Sequence, residues 1–160
     1  MRILIVSDSH GDRKYIDQAI ERVEPDMICH LGDAQGDDIH IQAMGNCPLY
    51  IVRGNCDSDL SLPLEETFDL KGHRVLMAHG HYFGGSPSSI EAGLQREAEK
   101  NHCDIIMYGH THIPVLRESP DLTILNPGSI ARPRQDGRKH SYIVLEITKK
   151  GDFLYNLCSL

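Results

Sequence analysis

Residues 3–10 read Ile3-Leu4-Ile5-Val6-Ser7-Asp8-Ser9-His10. The first four are branched or apolar with no alternation, the pattern of a strand covered on both faces. That run empties at once into a hydroxyl, a carboxylate and an imidazole. Asp12 is then placed to cap a helix whose Ile16, Ala19, Ile20 and Val23 share one face, and Pro25-Asp26 ends it. Met27-Ile28-Cys29 is the next strand, a short helix around Ile39 to Met44 follows, and Leu49-Tyr50-Ile51-Val52 is the third strand. Short buried strands alternating with amphipathic crossovers predict an α/β fold with a largely parallel sheet.

Beyond a polar loop from Arg53 to Pro63 the pattern changes. Thr67 to Leu70 and Arg74 to Ala78 read as a hairpin turned at Lys71-Gly72-His73. Ser86-Pro87 opens a helix carrying Ile90, Leu94 and Ala98 as far as about His102, and Asp104 to Tyr108 is another buried strand. Runs near Val115, Leu122 to Leu125, Ser141 to Ile147 and Phe153 to Leu157 read as consecutive strands. The 160 residues suit a single domain spanning 1–160, because a chain of this length buries most of the surface it exposes when unfolded.

Composition narrows the function classes. With 16 Lys+Arg against 23 Asp+Glu the formal charge is −7, which disfavours any reader of nucleic acid that neutralises many phosphates. No apolar run approaches the roughly 20 residues of a membrane span, and the opening lacks the features of a secretory leader. Five scattered cysteines without a Cys-x-x-Cys pair suit a reducing compartment, so a soluble, cytoplasmic protein is expected. Ten histidines exceed the nine Phe plus Tyr, and there is no Trp, so some imidazoles are expected to bind a ligand.

Five apolar runs are followed closely by metal-capable side chains: Asp8-Ser9-His10, Gly32-Asp33, Gly54-Asn55, His79-Gly80-His81 and Gly109-His110-Thr111-His112. Open α/β sheets place ligands at such carboxyl ends. In an extended turn residues i and i+2 point the same way, which would bring Asp8 with His10, and His110 with His112, into one cluster. Glycines 32, 54, 80 and 109 allow sharp turns beside it. Imidazoles, carboxylates and a carboxamide suit Mn²⁺ first, with Zn²⁺, Fe²⁺, Ni²⁺ and Co²⁺ as alternatives. Seven candidate ligands, Asp8, His10, Asp33, Asn55, His79, His110 and His112, exceed the need of one ion, and two ions sharing a carboxylate is the economical arrangement.

These ordered motifs resemble the calcineurin-like metallophosphoesterases across positions 7 to 112. Gly54-Asn55-Cys56-Asp57 and Asn126-Pro127-Gly128-Ser129 are most similar to its small YfcE-like phosphodiesterase branch. The resemblance implies two packed mixed β-sheets flanked by helices, an α/β/β/α sandwich. It also implies that Asp8, His10, Asp33 and His112 hold one metal, while Asp33, Asn55, His79 and His110 hold the other. The activity implied is phosphodiester hydrolysis of a small phosphate ester, through a hydroxide shared by ions roughly 3.5–4 Å apart and attacking phosphorus in line. Many family members carry His where this chain has Cys56, so leaving-group assistance would fall to another acid such as His81, or good leaving groups would be required. Gly36 stands where purple acid phosphatases have a tyrosine ligand, and no charge-transfer colour is expected.

Alternatives stand beside these readings. His30, His40, His73, His102 and His140 are read as structural, and His81 is balanced between orienting the site and reaching phosphate. Cys56 is read as a packed small side chain beside the site, and Asp57 as orienting its neighbour. Asn126 to Ser129 reads as a turn, with Ser129 facing substrate as the minority case. Arg132, Arg134, Arg138 and Lys139 read as a solvated loop, or as a guide for an anionic substrate. A non-catalytic scaffold resembling Vps29, and a monoesterase or nuclease, are the competing functions, and self-association is left open.

Overall fold

The computed structural model describes residues 1–160. In chain order the elements are β1 (Arg2–Val6), α1 (Arg13–Val23), β2 (Met27–His30), α2 (Asp38–Gly45), β3 (Leu49–Ile51), β4 (Glu65–Leu70), β5 (His73–Ala78), α3 (Pro87–Lys100), β6 (Ile105–Tyr108), β7 (Pro114–Glu118), β8 (Thr123–Pro127), β9 (Ser141–Ile147) and β10 (Phe153–Ser159). They form two five-stranded sheets, ordered β10-β9-β1-β2-β3 and β4-β5-β6-β8-β7.

Both sheets are mixed rather than largely parallel. The crossovers through α1, α2 and α3 keep β1-β2, β2-β3 and β5-β6 parallel, and β6 also runs parallel to β8. Short polar turns force the remaining neighbours, β4-β5, β7-β8 and β9-β10, to run antiparallel, and β9 returns antiparallel to β1.

Alternation along β1 explains the layering. Ile3 and Ile5 face the other sheet, packing with Cys29, Val75, Met77, Ile105, Met107 and Leu125. Leu4 and Val6 face α1 and α2, meeting Ile16, Ile20 and Ile41. The second sheet repeats the scheme, with Leu76 and Ile106 packed on Ile90, Leu94 and Ala98 of α3. Both faces of each central strand are thus covered, which is why their sequences are apolar without alternation. Helix signals were read correctly: the Asp12 side chain accepts the Lys14 N–H, and Ser86 caps α3 in a reciprocal box with Ser89.

Candidate metal centre

The carboxyl ends of β1, β2, β3, β5 and β6 converge at one end of the sandwich, where both sheets contribute. Across the seam the His79 Nδ1–H donates to the Leu31 carbonyl at 2.7 Å, and the His110 N–H donates to Asp8 Oδ2 at 3.1 Å. Steric demand explains one glycine here. A Cβ on Gly54 would land on the Asp33 carboxylate and its amide nitrogen, so only glycine lets the β3 end pass this close.

The ligand pairs do not arise from extended alternation. Asp8, His10, Asp33, His110 and His112 have φ of 57°, 49°, 57°, 67° and 59°, all in the left-handed region. Few non-glycine residues adopt it, and each costs on the order of 1–3 kcal/mol unless the surroundings enforce it. Five of the seven candidate ligands therefore sit on strained backbone, which turns Asp8 with His10, and His110 with His112, toward the seam.

Two clusters result. His112 Nε2 lies 3.1 Å from Asp8 Oδ1 and 3.4 Å from His10 Nε2, and His10 Nε2 is 3.9 Å from Asp8 Oδ1. In the second cluster His79 Nε2 lies 3.2 Å from Asn55 Oδ1 and 3.6 Å from Asp33 Oδ2. Asp33 Oδ2 is also 3.8 Å from His10 Nε2 and so belongs to both clusters. The ring of His110 stands edge-on to His79, with centroids 5.1 Å apart, outside the tightest groups of donor atoms.

The tautomers show what these groups lack. His79 and His112 each spend the Nδ1 proton on a backbone carbonyl, of Leu31 at 2.7 Å and of Arg132 at 2.6 Å. Neutral rings so oriented turn an Nε2 lone pair toward the carboxylate and amide oxygens. Acceptor faces acceptor, and the buried Asp8 Oδ1 has no properly aligned hydrogen bond. A cation relieves this, and the donor set of imidazole, carboxylate and carboxamide fits a divalent ion.

Protons substitute in part. Burial opposes charge on both Asp8 and His112, yet their close approach at 3.1 Å and mutual attraction win, lowering the carboxyl pKa and raising that of the imidazole. Burial depresses His10 and His110.

Sequence reasoning gave Asp57 only the part of orienting its neighbour and missed its hold on two turns. The Asp57 carboxylate accepts the N–H groups of Asp33 at 2.8 Å, Gln35 at 2.6 Å and Gly54 at 2.7 Å, tying the β2 and β3 turns together. Asp57→Ala leaves three amides without this partner. It is expected to weaken metal binding about 10- to 100-fold and to lower stability by about 2 kcal/mol; an unchanged metal titration would refute this role.

His30, read as structural, is fully buried between two ligand-bearing turns. Its Nε2 meets Ser9 Oγ at 3.0 Å and its Nδ1 accepts the Gly32 N–H at 3.3 Å. Asn126 lies near the end of β8 and opens the expected turn, its Oδ1 accepting the Gly128 N–H at 2.9 Å while its Nδ2 donates to the Gly109 carbonyl at 3.0 Å. Ser129 does not face substrate: it is fully buried and donates to the Asp8 carbonyl at 2.8 Å. Of the other histidines, His40 meets Asp17 at 2.8 Å, His73 meets Asp104 at 2.6 Å and His140 meets the Ile130 carbonyl at 2.8 Å.

Cys56 is exposed rather than packed, with its sulfur grouped with His10 and Asp33. Its backbone N–H donates to Asp33 Oδ1 at 2.7 Å, leaving Oδ2 for the clusters. Desolvation and the nearby Asp33 push the thiol up to about 11. Fewer thiolates, offset by the greater nucleophilicity of each, predict alkylation by iodoacetamide at neutral pH about tenfold slower than for an ordinary exposed cysteine. The prediction is for chelator-stripped protein, and mass-resolved labelling at Cys56 at the ordinary rate would contradict it. His81 lies tilted against Tyr82 with centroids 4.0 Å apart, and burial beside His79 and His110 lowers its pKa to about 4. A ring that is neutral at pH 7 is a weak proton donor, which argues against its expected part as an acid.

A family model described as the calcineurin-like phosphoesterase superfamily domain matches residues 1–150. The chain belongs to this family. It is 31% identical over 149 residues to the probable metallophosphoesterase YsnB of Bacillus subtilis, covering 92% of this chain and 85% of the relative. Phosphodiesterase YfcE of Escherichia coli is 35% identical over 103 residues, 59% of this chain and 50% of YfcE. The fold also superposes on wild-type Vps29 of Entamoeba histolytica, solved in complex with Zn²⁺, with a TM-score of 0.73 and 18% identity over 99% of each chain. The two-sheet sandwich implied by the motifs is therefore the fold of the family. No helix is long and apolar enough to cross a membrane.

Proposed function

We propose that this metallophosphoesterase hydrolyses phosphodiesters with two divalent ions, Mn²⁺ being the first candidate. Asp8, His10, Asp33 and His112 would hold one ion; Asp33, Asn55, His79 and His110 would hold the other. The carrying observation is Asp33, whose Oδ2 faces His10 Nε2 at 3.8 Å and His79 Nε2 at 3.6 Å while its Oδ1 is occupied by the Cys56 N–H. Ions in such a site supply Lewis acidity to the phosphoryl oxygens and acidify a water for in-line attack.

The chain's own residues present and hold that cage. Carbonyl partners fix the Nε2 lone pairs of His79 and His112, and Asp57 fixes the two turns that carry Asp33 and Asn55. Neither His81 nor the Cys56 thiol is suited to protonate a departing alkoxide, so esters with good leaving groups are the favoured substrates. The name of YfcE as a phosphodiesterase supports the choice of diesters over monoesters.

Chelator-stripped protein is expected to hydrolyse bis(p-nitrophenyl) phosphate only after Mn²⁺ is restored, and faster than p-nitrophenyl phosphate. Asn55→Ala is expected to lose that turnover. The scaffold reading competes because a Vps29 of this fold has been solved with Zn²⁺, so an intact ligand set does not separate the two functions. Turnover does: metal bound with neither ester hydrolysed favours the scaffold, and no metal bound removes the phosphodiesterase reading.

A further inference from the structure

A pocket of about 160 Å³ adjoins the metal centre, with His110 and Thr111 on one wall, Arg134 on another and the first turn of α3 closing it. No carboxylate lines it. Arg134 belongs to the β8–β9 loop, which is fixed to the centre by its backbone: the Arg134 N–H donates to the His112 carbonyl at 3.2 Å, and the Arg132 carbonyl takes the His112 Nδ1–H at 2.6 Å. The exposed Arg134, like Arg22, Arg53, Arg96, Arg132 and Arg138, forms no ion pair in a chain of net charge −7, whereas Arg2, Arg13, Arg74 and Arg117 each meet a carboxylate; of the unpaired arginines it is the one that lines this pocket.

Nothing else in the pocket supplies charge. The start of α3 is closed on itself, with Ser86 Oγ accepting the Ser89 N–H at 3.2 Å and Pro87 lacking an N–H. Thr111 Oγ1 is engaged by the Asn126 amide at 3.1 Å. A guanidinium set beside a centre that gathers divalent cations is repelled by them unless an anion lies between.

We infer that this pocket receives a second anionic group, a phosphate carried on one ester arm of the substrate, while the scissile phosphoryl group lies at the metals. The inference rests on the phosphodiesterase reading and narrows its substrate class to diesters bearing a further phosphate. Recognition of that charge is local to the loop bearing Arg134, because the chain as a whole repels anions.

The test is calorimetric titration of Mn²⁺-loaded protein with thymidine 5′-monophosphate and thymidine 3′,5′-bisphosphate, which differ by one phosphate. Wild-type protein is expected to bind the bisphosphate about fivefold more tightly, a preference that shrinks with added salt as an exposed ion pair should. Arg134→Gln is expected to bring the ratio close to one, and Arg134→Lys to restore part of it. Equal affinity of wild-type protein for the two nucleotides, or an unchanged ratio in Arg134→Gln, would overturn the inference. The two readings fail separately. A wild-type preference in protein that hydrolyses no ester leaves the pocket standing without the phosphodiesterase; ester hydrolysis without that preference does the reverse.

Discussion

Asp33→Ala is expected to cost at least about a thousandfold in metal-dependent diester hydrolysis, and to reduce the ions retained from two to one or none. Asp33 Oδ2 approaches an imidazole of each cluster, His10 at 3.8 Å and His79 at 3.6 Å, whereas Asp8, though grouped with Asp33 and His79, makes its close imidazole approach to His112 at 3.1 Å. Truncation has a second effect, because the Cys56 N–H loses its acceptor on Asp33 Oδ1. Asp33→Asn separates the two, since its amide oxygen still accepts that N–H while the bridging charge is gone. Metal analysis by mass spectrometry beside the rates decides the matter: two ions retained and a rate within tenfold of wild type in Asp33→Ala would sink the bridging role.

Acid is expected to destabilise the metal-free protein through His30 by about 3 kcal/mol between pH 6.5 and 4. Burial depresses this imidazole from 6.5 to about 4, so across that window the unfolded chain binds a proton that the folded chain refuses. Stability is therefore full above the unfolded value and is lost as pH falls toward the folded one. His81, His10 and His110 are also depressed and add in the same direction. The readout is consequently a difference in urea-unfolding free energy between wild type and His30→Asn, measured at pH 7 and pH 4. The variant is expected to be less stable at pH 7, having disturbed the Ser9 and Gly32 contacts, and to fall less steeply on acidification. Parallel losses in both proteins would exclude His30 as the source.

Much of this was legible from local sequence. The unalternating run Ile3 to Val6 announces a strand buried on both faces, and Ser86-Pro87 announces the start of α3, because local covering and capping demands leave their mark on residue choice. Strand direction was less legible. Nothing within Ser141 to Ile147 says that it returns beside β1, a partner about 140 residues away in sequence, so this antiparallel return went unread although the local β4-β5 hairpin was legible.

The candidate ligands were found because metal chemistry restricts residue type and because strand ends collect them. The means of gathering them was misread, since a positive φ at Asp8 or His112 comes from tertiary enforcement and has no signature in residue identity. The supporting residues show the same limit. Asp57 stands next to Cys56 in the sequence, yet its work is to accept amides from the β2 and β3 turns. His30 becomes a link only through the parallel register that sets it opposite Val6.

The seam between the sheets also fixes an order of assembly. Asp8, His10, Asp33 and Asn55 come from the sheet begun by β1, whereas His79, His110 and His112 come from the other. As the chain leaves the ribosome, the first group is exposed long before its counterparts exist, and β1 lacks its antiparallel neighbour until residues 141–147 have been made. A nascent chain thus offers a cation only an incomplete set of ligands, and tight uptake is expected only once translation has passed β9.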